Sequence, residues 1–378
     1  MSIDTEDQAA LRASVRDLLS KHSDSAAVRA AITTEIGYDA ALWSKLCEQI
    51  GVAALAIPEE FDGVGAGLGE VHVVQEELGR TLTPSPMLGS AILAAQALLL
   101  SGDDDACSRL LPGVASGEST LALCWAGAAG WSTFGVEATE DALTGTASYV
   151  LDGHVADTLL VLTADGFYEV DPAAEGVSRR RVPTMDPTRT LAEVTFSGVR
   201  GRPLEWSEDL VDRIRTVVLI ALSAEQVGAA TAIVEQTVEY TKSRKQFGRA
   251  IGSFQALKHR MADMYTLVET ARSMTYAAVA TQSADDAAVA KVYCSEALQQ
   301  ITSEAVQLHG GIAITWEHDA QLYFKRAHGS AQLFGQPSTY LPSLARRQRA
   351  SRRRRCLFAR DCARTSTTGA QSVECPAD

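Results

Sequence analysis

The sequence predicts a mainly α-helical fold with a small β-domain in its middle. Apolar residues recur three and four positions apart from Thr5 to about Leu111, and again from Asp209 to about Leu344. Between these blocks the pattern changes to short alternating or apolar runs. Because a single core stops growing at about 250–300 residues, the 378-residue chain is expected to form two or three domains.

The first block, residues 1–117, is predicted to be a helical domain. Its opening segment, MSIDTEDQAALRASVRDLL, alternates charged and apolar residues at helical spacing and lacks the continuous apolar core of a signal peptide. The helical pattern stops at IPEEFDGVGAG (Ile57–Gly67), where proline and glycines interrupt it. We therefore expect several helices and one conspicuous loop.

The second block, residues 118–205, is predicted to be a small antiparallel β-domain. Glycine, aspartate and proline separate five short runs, which read STLALCW, ALTGTASYVLDG, TLLVLT, GFYEVD and LAEVTFSGV. Runs of this length and spacing are typical of short strands joined by turns.

The third block, residues 206–344, is predicted to be a C-terminal bundle of long helices. Its three segments are VDRIRTVVLIALSAEQVGAATAIVEQTVEYTKSR, GSFQALKHRMADMYTLVETARSMTYAAVAT and DDAAVAKVYCSEALQQITSEAVQLHGG. Each has the wide apolar stripe of a helix packed in a bundle. Residues 345–378 show no periodicity. A basic run could dock on an anionic surface, but the composition favours a solvated, disordered tail, and we assign it no function.

The composition excludes several classes of function. Residues 345–378 carry nine Lys/Arg against three Asp/Glu, so the net charge of −13 is the sum of +6 in this segment and −19 in residues 1–344. A globular part with a charge of −19 is not expected to bind nucleic acid. The seven cysteines show no C-x-x-C or zinc-ligand spacing, so we expect reduced thiols and no metal. The longest apolar run, Ala91–Leu100, is shorter than the ~18–20 residues that span a bilayer. We expect a cytoplasmic protein without a membrane segment.

The most informative local segment is SRKQFGRAIGSFQALKH (Ser243–His259). A helix that ends near Arg244 brings cations and Phe247 into a glycine-containing turn before the next helix. A guanidinium is a planar fork of donors suited to a diphosphate, and an aromatic ring can pack on a planar ligand. The segment indicates cofactor phosphate binding, although in isolation a cation that caps the last helical carbonyls is the simpler interpretation.

A second candidate segment is VQLHGG (Val306–Gly311), where a helix closes on Gly310 and Gly311. Glycines fit a left-handed helix cap, and without a Cβ they also let a ligand approach the backbone. Spacing alone favours the plain cap. It also favours capping or core packing over catalysis for His309.

Together these segments resemble the acyl-CoA dehydrogenase family over about residues 5–340. Three stretches in the family's order support the resemblance: GVAALAIPEEFDGVGAGLGEVHVVQEELGR, YTKSRKQFGRAIGSFQALKHRMADM and VQLHGGIAITWEHDAQLYFKRA. The resemblance implies an N-terminal helical domain, a middle β-domain and a C-terminal four-helix bundle. It also implies FAD as the cofactor and an acyl-CoA thioester as the substrate.

The resemblance further implies where a cofactor is contacted. In the family, the RKQFG and QLHGG segments of one subunit reach across a dimer interface to the pyrophosphate and adenosine end of an FAD held mainly by the neighbour. Carried over to this sequence, the implied cofactor-binding residues are Arg244, Phe247, Gln255, Gln307, Gly310 and Gly311.

The chain departs from the family at the catalytic base. Family enzymes remove the α-proton of the thioester with a Glu carboxylate, whose pKa desolvation can raise towards the working pH, while a hydride leaves the β-carbon for the flavin. The usual Glu position falls at Phe334 or Gly335, and no carboxylate occurs from Leu333 to Leu344. An alternative position on the first bundle helix falls at Val218, which cannot accept a proton.

Glu225 is the remaining candidate base. It follows Val218 by seven residues, on nearly the same helical face but roughly 10 Å away, which makes it a poor substitute. We therefore assign no catalytic residue.

The middle domain departs from the family as well. The segment CWAGAAGWSTFG (Cys124–Gly135) stands where the family carries its Thr-Glu-Pro…Gly-Ser-Asp contacts to flavin ring and substrate. The segment YVLDG (Tyr149–Gly153) replaces Trp-Ile-Thr-Asn-Gly, which loses a hydroxyl donor at Leu151 although Tyr149 could still stack near a flavin.

These departures predict a non-catalytic subunit of a heterotetramer. The chain resembles actinobacterial α2β2 acyl-CoA dehydrogenases, several of which act on CoA thioesters of sterol side chains. The implied partner is a second acyl-CoA dehydrogenase subunit that carries the catalytic Glu. Two alternatives stay open: a self-sufficient homomeric dehydrogenase with Glu225 as a displaced base, and a structural or regulatory paralogue that binds no flavin.

Overall fold

A computed structural model describes residues 4–140 and 142–346. These residues fall into two compact units that divide after Pro337, and residues 338–346 of the second unit are helical. The predicted tail, residues 345–378, lies outside the described residues from position 347 onward.

The N-terminal block is helical, as the periodicity predicted. The first helix opens with a capping box, in which Gln8 N donates to Thr5 Oγ1 (3.2 Å) and Thr5 N donates to Gln8 Oε1 (3.1 Å). A π-helix at Met87–Ala94, buried along its whole length, precedes the fifth helix. The α-helices are α1 (Glu6–His22), α2 (Ser25–Ala31), α3 (Ala40–Ile50), α4 (Leu68–Thr81), α5 (Ala95–Ser101) and α6 (Asp104–Ser116).

The middle block forms two four-stranded sheets, in the orders β1-β6-β7-β10 and β4-β5-β9-β8, with a separate β2-β3 pair. Alternate side chains of both sheets share one apolar core. The prediction was antiparallel, but β1 and β6 run parallel, with Leu121 opposite Thr158. The strands are β1 (Leu121–Cys124), β2 (Ala126–Gly127), β3 (Gly130–Phe134), β4 (Val136–Thr139), β5 (Ala142–Leu151), β6 (Thr158–Leu162), β7 (Phe167–Val170), β8 (Val177–Val182), β9 (Leu191–Arg200) and β10 (Arg202–Leu204).

The C-terminal block is a bundle of four helices, which confirms the predicted fold class. A short hairpin of β11 (Lys245–Gln246) and β12 (Arg249–Ala250) joins the first two helices, and a 3-10 turn (Gly310–Ile314) follows the third. The helices are α7 (Leu210–Ser243), α8 (Gln255–Thr281), α9 (Ala284–His309) and α10 (Ala320–Gln332).

The prediction that Ala91–Leu100 is the longest apolar run is wrong, because helix α7 contains a longer one. Its most apolar 18-residue stretch has a mean hydropathy of 1.9, so by length and composition it could cross a membrane. In the fold, 89% of that stretch is buried, as expected for the core helix of a bundle. The polar pair Glu225–Gln226 interrupts the run in the sequence and obscures its length.

Two glycines let α4 and α7 cross closely. A Cβ on Gly228 would lie 1.8 Å from the Glu76 carbonyl oxygen, and a Cβ on Gly79 would lie 2.1 Å from that of Glu225. Any side chain at either position would force the helices apart. This crossing ties the N-terminal domain to the bundle and fixes where α7 lies under the β-domain.

Candidate functional site

The end of α7, the start of α8 and the end of α9 meet at one place on the fold. Tyr240 Oη donates to the His309 carbonyl oxygen (3.2 Å), and Arg260 Nε donates to Glu304 Oε2 (2.6 Å). These contacts bring together the two sequence segments from which a cofactor contact was predicted. We call this region the cationic surface. It comprises the exposed residues Arg244, Phe247, Gln255, Gln307, Gly310 and Gly311.

The hairpin between α7 and α8 displays Phe247 at its tip. Phe247 and Gly248 have positive φ angles of 54° and 77°, as the two central residues of a type I′ turn do. The Phe247 side chain is 91% exposed, with only an edge contact to Phe254 at a ring-centroid distance of 6.2 Å. The Arg249 guanidinium covers the Phe254 ring at 4.0 Å, which stiffens the base of the hairpin.

The cationic surface is positively charged within an acidic protein. From residue 241 to 262 the chain carries six Lys/Arg and no Asp/Glu. Lys242 and Arg260 are paired with Glu239 and Glu304. Within residues 4–140 and 142–346, no carboxylate lies within salt-bridge distance of Arg244, so its donors are free for an anion.

The glycine turn after α9 is open to solvent. Gly310 has φ 67° and ψ −147°, a conformation that L-residues with a Cβ avoid, and its N–H donates to the Val306 carbonyl oxygen. No atom lies within 4 Å of the position that a Cβ would take on Gly310 or on Gly311. A ligand could therefore approach this backbone directly.

Aromatic rings come together from the segments that the family resemblance aligns with the flavin-ring contacts and the base. The Phe334 ring lies 4.7 Å from Trp131 and 6.1 Å from Trp125 between centroids, and Trp131 stacks on Tyr149 at 5.7 Å. Phe334 is 1% exposed and Trp125 is 2% exposed. We call these four residues the aromatic cluster. An unpaired charge beside the buried rings of Phe334 and Trp125 would carry a desolvation cost.

Hydrogen bonds tie the aromatic cluster to its surroundings. Trp125 Nε1 donates to the Trp131 carbonyl oxygen (3.4 Å), and Arg215 Nη2 of helix α7 donates to the same oxygen (3.3 Å). Three residues beyond Arg215, Val218 is fully buried at the alternative base position. Neither family position for the base therefore offers a carboxylate here.

Glu225 is held in a buried ion pair with two arginines. Arg189 Nη2 donates to both carboxylate oxygens (2.6 Å each), and Arg326 Nη1 donates to Oε1 (2.6 Å). Burial raises the pKa of Glu225, but the charges of Arg189 and Arg326 outweigh it and hold the pKa below its ordinary value. A base needs a free oxygen and a pKa near the working pH, and Glu225 has neither. The geometry favours a structural role for this candidate.

The sequence interpretation missed that Trp125, Trp131 and Phe334 touch one another. Phe334 lies some two hundred positions beyond the two tryptophans, and periodicity gives no information on such distant contacts. One signal was available in the sequence. Aromatic residues occur both in the segment aligned with the flavin contacts and at the position aligned with the base, which could have suggested that they pack together.

Metal chemistry has no visible basis in the described ranges. There, no group of three or more His, Cys, Asp or Glu side chains is arranged to hold a metal ion. Four cysteines, Cys47, Cys107, Cys124 and Cys294, are buried free thiols.

Comparisons with known proteins agree with the fold and the motifs. The profile for the acyl-CoA dehydrogenase N-terminal domain matches residues 5–118, and that for the C-terminal domain matches residues 219–347. Acyl-CoA dehydrogenase IpdE2 of Mycolicibacterium smegmatis is 44% identical over 340 residues, which cover 90% of this chain and 98% of that protein.

Two solved heteromeric structures are similar as well. The ChsE4–ChsE5 complex from Mycobacterium tuberculosis gives a TM-score of 0.84 at 29% identity, covering 92% of this chain and 98% of the matched one. A Tcur3481–Tcur3483 steroid ACAD variant gives 0.82 at 30% identity, covering 90% and 97%.

The chain belongs to the acyl-CoA dehydrogenase family. The family resemblance inferred from the three motifs is thus confirmed, and with it the class of oxidoreductases that act on acyl-CoA.

Proposed function

We propose that this chain is the base-lacking subunit of an FAD-dependent acyl-CoA dehydrogenase of α2β2 composition. One observation carries the proposal. The segments that the family resemblance aligns with the flavin-ring contacts and the base pack together as the aromatic cluster, whereas the residues that would serve a neighbour's FAD are exposed on the cationic surface.

The residues present fit the diphosphate end of FAD. Arg244 has no carboxylate partner among the described residues, and the open turn at Gly310 and Gly311 lets a diphosphate approach the backbone with no side chain in the way. Phe247, Gln255 and Gln307 would complete the contact. The segments aligned with the family's flavin-ring contacts instead pack against one another in the aromatic cluster, so the FAD is assigned to the partner.

The reaction assigned to the complex is α,β-desaturation of an acyl-CoA thioester. The partner would supply the carboxylate that takes the α-proton, and its FAD would accept the hydride from the β-carbon. This chain would orient that FAD through Arg244 and the glycine turn, and would shield it from water. The similar complex described as a steroid ACAD supports a steroid-derived thioester as the substrate class, and we place the reaction in the cytoplasm.

Co-purification tests the proposal. The chain is expressed alone and together with a second acyl-CoA dehydrogenase subunit encoded beside it. We expect a colourless protein alone, and a yellow complex with about one FAD per heterodimer when co-expressed. Replacing the partner's carboxylate base should abolish desaturation while the flavin absorbance remains. A yellow, active protein from this chain alone would favour the homomeric alternative, and an assembled complex without flavin would favour a structural paralogue.

A further inference from the structure

Three rings pack behind the glycine turn of the cationic surface. The ring centroids of Tyr240 and His309 are 4.4 Å apart, those of His309 and His318 are 4.5 Å apart, and those of Tyr240 and His318 are 6.3 Å apart. His309 is 4% exposed, and the other two rings are half-buried. We call Tyr240, His309 and His318 the ring triad.

The hydrogen bonds of the ring triad act on the last residue of α9. Tyr240 Oη donates to the His309 carbonyl oxygen (3.2 Å), one of the C-terminal carbonyls that a helix cannot satisfy itself. His309 Nδ1 lies 2.8 Å from the Ala305 carbonyl oxygen, so Nδ1 carries the proton and donates. The buried Nε2 of His309 has no hydrogen-bond partner in the described chain. The side chain and the carbonyl of His309 are therefore both held immediately before Gly310.

This restraint matters because the next residue is conformationally free. Gly310 adopts φ 67° and ψ −147°, and no neighbouring side chain touches the space beside it or beside Gly311. The path of the backbone through Gly310 and Gly311 is thus decided by how the chain leaves His309. We propose that the ring triad positions the Gly310–Gly311 turn for the diphosphate of the partner's FAD, an inference that rests on the proposed function.

The two imidazoles of the triad behave as neutral rings. Burial lowers the pKa of His309; the hydrogen bond to the Ala305 carbonyl oxygen opposes this shift, and the neighbouring His318 adds to it. Burial also lowers the pKa of His318, which Asp319 raises and Arg29 lowers to a lesser degree. Because both rings are uncharged, a phenylalanine should replace the packing of His318, whereas an alanine should not.

The test measures FAD affinity directly. The complex with the co-expressed partner is stripped of flavin and titrated with FAD, and the dissociation constant is read from the flavin absorbance change. Tyr240→Phe removes one hydroxyl donor and should weaken FAD binding about tenfold. The matched control is Tyr276→Phe, which removes a half-buried hydroxyl bonded to Asp4 and Arg12. Tyr276→Phe should lower the thermal stability about as much as Tyr240→Phe does, but it should leave the FAD affinity unchanged.

A second pair of variants separates positioning from folding. Both His318→Ala and His318→Phe lose the bond from Ala320 N to the imidazole, so only the ring packing distinguishes them. His318→Ala should weaken FAD binding, and His318→Phe should restore it. Wild-type affinity in Tyr240→Phe, or an equal loss in Tyr276→Phe, would overturn the inference. A wild-type complex that takes up no FAD would instead overturn the proposed function.

Discussion

The aromatic cluster and the cationic surface each contain a phenylalanine in the left-handed backbone region. Phe334 has φ 59° and Phe247 has φ 54°, a conformation that costs a residue with a side chain roughly 1–2 kcal/mol. Phe334 is 1% exposed and packs on two tryptophans, whereas Phe247 is 91% exposed. The strain at Phe334 is offset inside the fold, while the strain at Phe247 has no comparable compensation within this chain.

This difference in exposure indicates which region packs within the chain and which region is available for contact with another molecule. In the aromatic cluster, the strained ring of Phe334 is packed within the chain, although Tyr149, whose φ is 59°, is 39% exposed. A region that keeps a strained ring in solvent is suited to a contact outside the chain. The family resemblance implies that both regions serve one cofactor, and the proposed function assigns that role in this protein to the outward-facing one.

The largest expected effect comes from opening the aromatic cluster. Phe334→Ala removes a buried ring and should lower the free energy of unfolding of the isolated chain by about 3–5 kcal/mol, measured by denaturant titration. Phe324→Ala is the control, because Phe324 is only half-buried against His328 and should cost clearly less. If the Phe334→Ala chain instead bound FAD without a partner, the Phe334 ring alone would account for the difference between the two regions.

Glu225→Gln should have the next largest effect. It leaves Arg189 without its carboxylate and Arg326 with only that of Asp186, and should cost about 3 kcal/mol of stability. Asp212→Asn is the control, since its ion pair with Arg215 is exposed and is worth less than about 1 kcal/mol. Turnover per bound FAD should not change. A loss of several orders of magnitude with FAD retained would identify Glu225 as the base and contradict our assignment.

The same ion pair predicts a pH dependence. The folded pKa of Glu225 lies below its ordinary value of 4.5, so its contribution to stability is complete above pH 4.5 and is lost as the pH falls further. As the pH falls below about 4.5, the free energy of unfolding of Glu225→Gln should therefore decrease less steeply than that of the wild type. Parallel profiles for the variant and the wild type would contradict this.

Arg244→Ala should separate function from stability. Losing charge-assisted bonds to a diphosphate should weaken FAD binding by the complex about ten- to a hundredfold. The side chain is exposed, so the free energy of unfolding of the isolated chain should change by less than about 0.5 kcal/mol. Arg244→Lys should recover only part of the affinity, because an ammonium lacks the planar fork. Unchanged FAD affinity in Arg244→Ala would remove this residue from the site.

The smallest expected effect comes from Phe247→Gly in the cationic surface, and the same substitution at Phe334 in the aromatic cluster gives the comparison. Phe247→Gly relieves left-handed strain without losing packing and should raise the stability of the isolated chain by about 0.5–1 kcal/mol. FAD retention by the complex should fall. Phe334→Gly relieves the same strain but should destabilise the chain, because its ring is buried. Destabilisation in both variants would mean that the exposed ring is held by contacts within its own chain.

Local sequence information was sufficient for the order of the domains. Helical and strand periodicities depend on neighbouring residues, so the helical block, the β-block and the bundle were predictable, as were the exposed RKQFG hairpin and the glycine turn. The parallel pairing of β1 with β6 was not predictable, because strand direction depends on the path of the chain between them.

Tertiary structure alone decided what the altered residues became. The sequence predicted that the usual base position falls at Phe334 or Gly335 and left Glu225 as the remaining candidate. Only the fold brings Phe334 against two tryptophans, and only the fold joins Glu225 to Arg189, 36 residues away, and to Arg326, 101 residues away. Burial and charge pairing depend on such distant neighbours. The sequence by itself thus determined that the aligned base positions carry no carboxylate, and the three-dimensional packing decided that Phe334 joins a packed aromatic cluster and that Glu225 joins a buried ion pair.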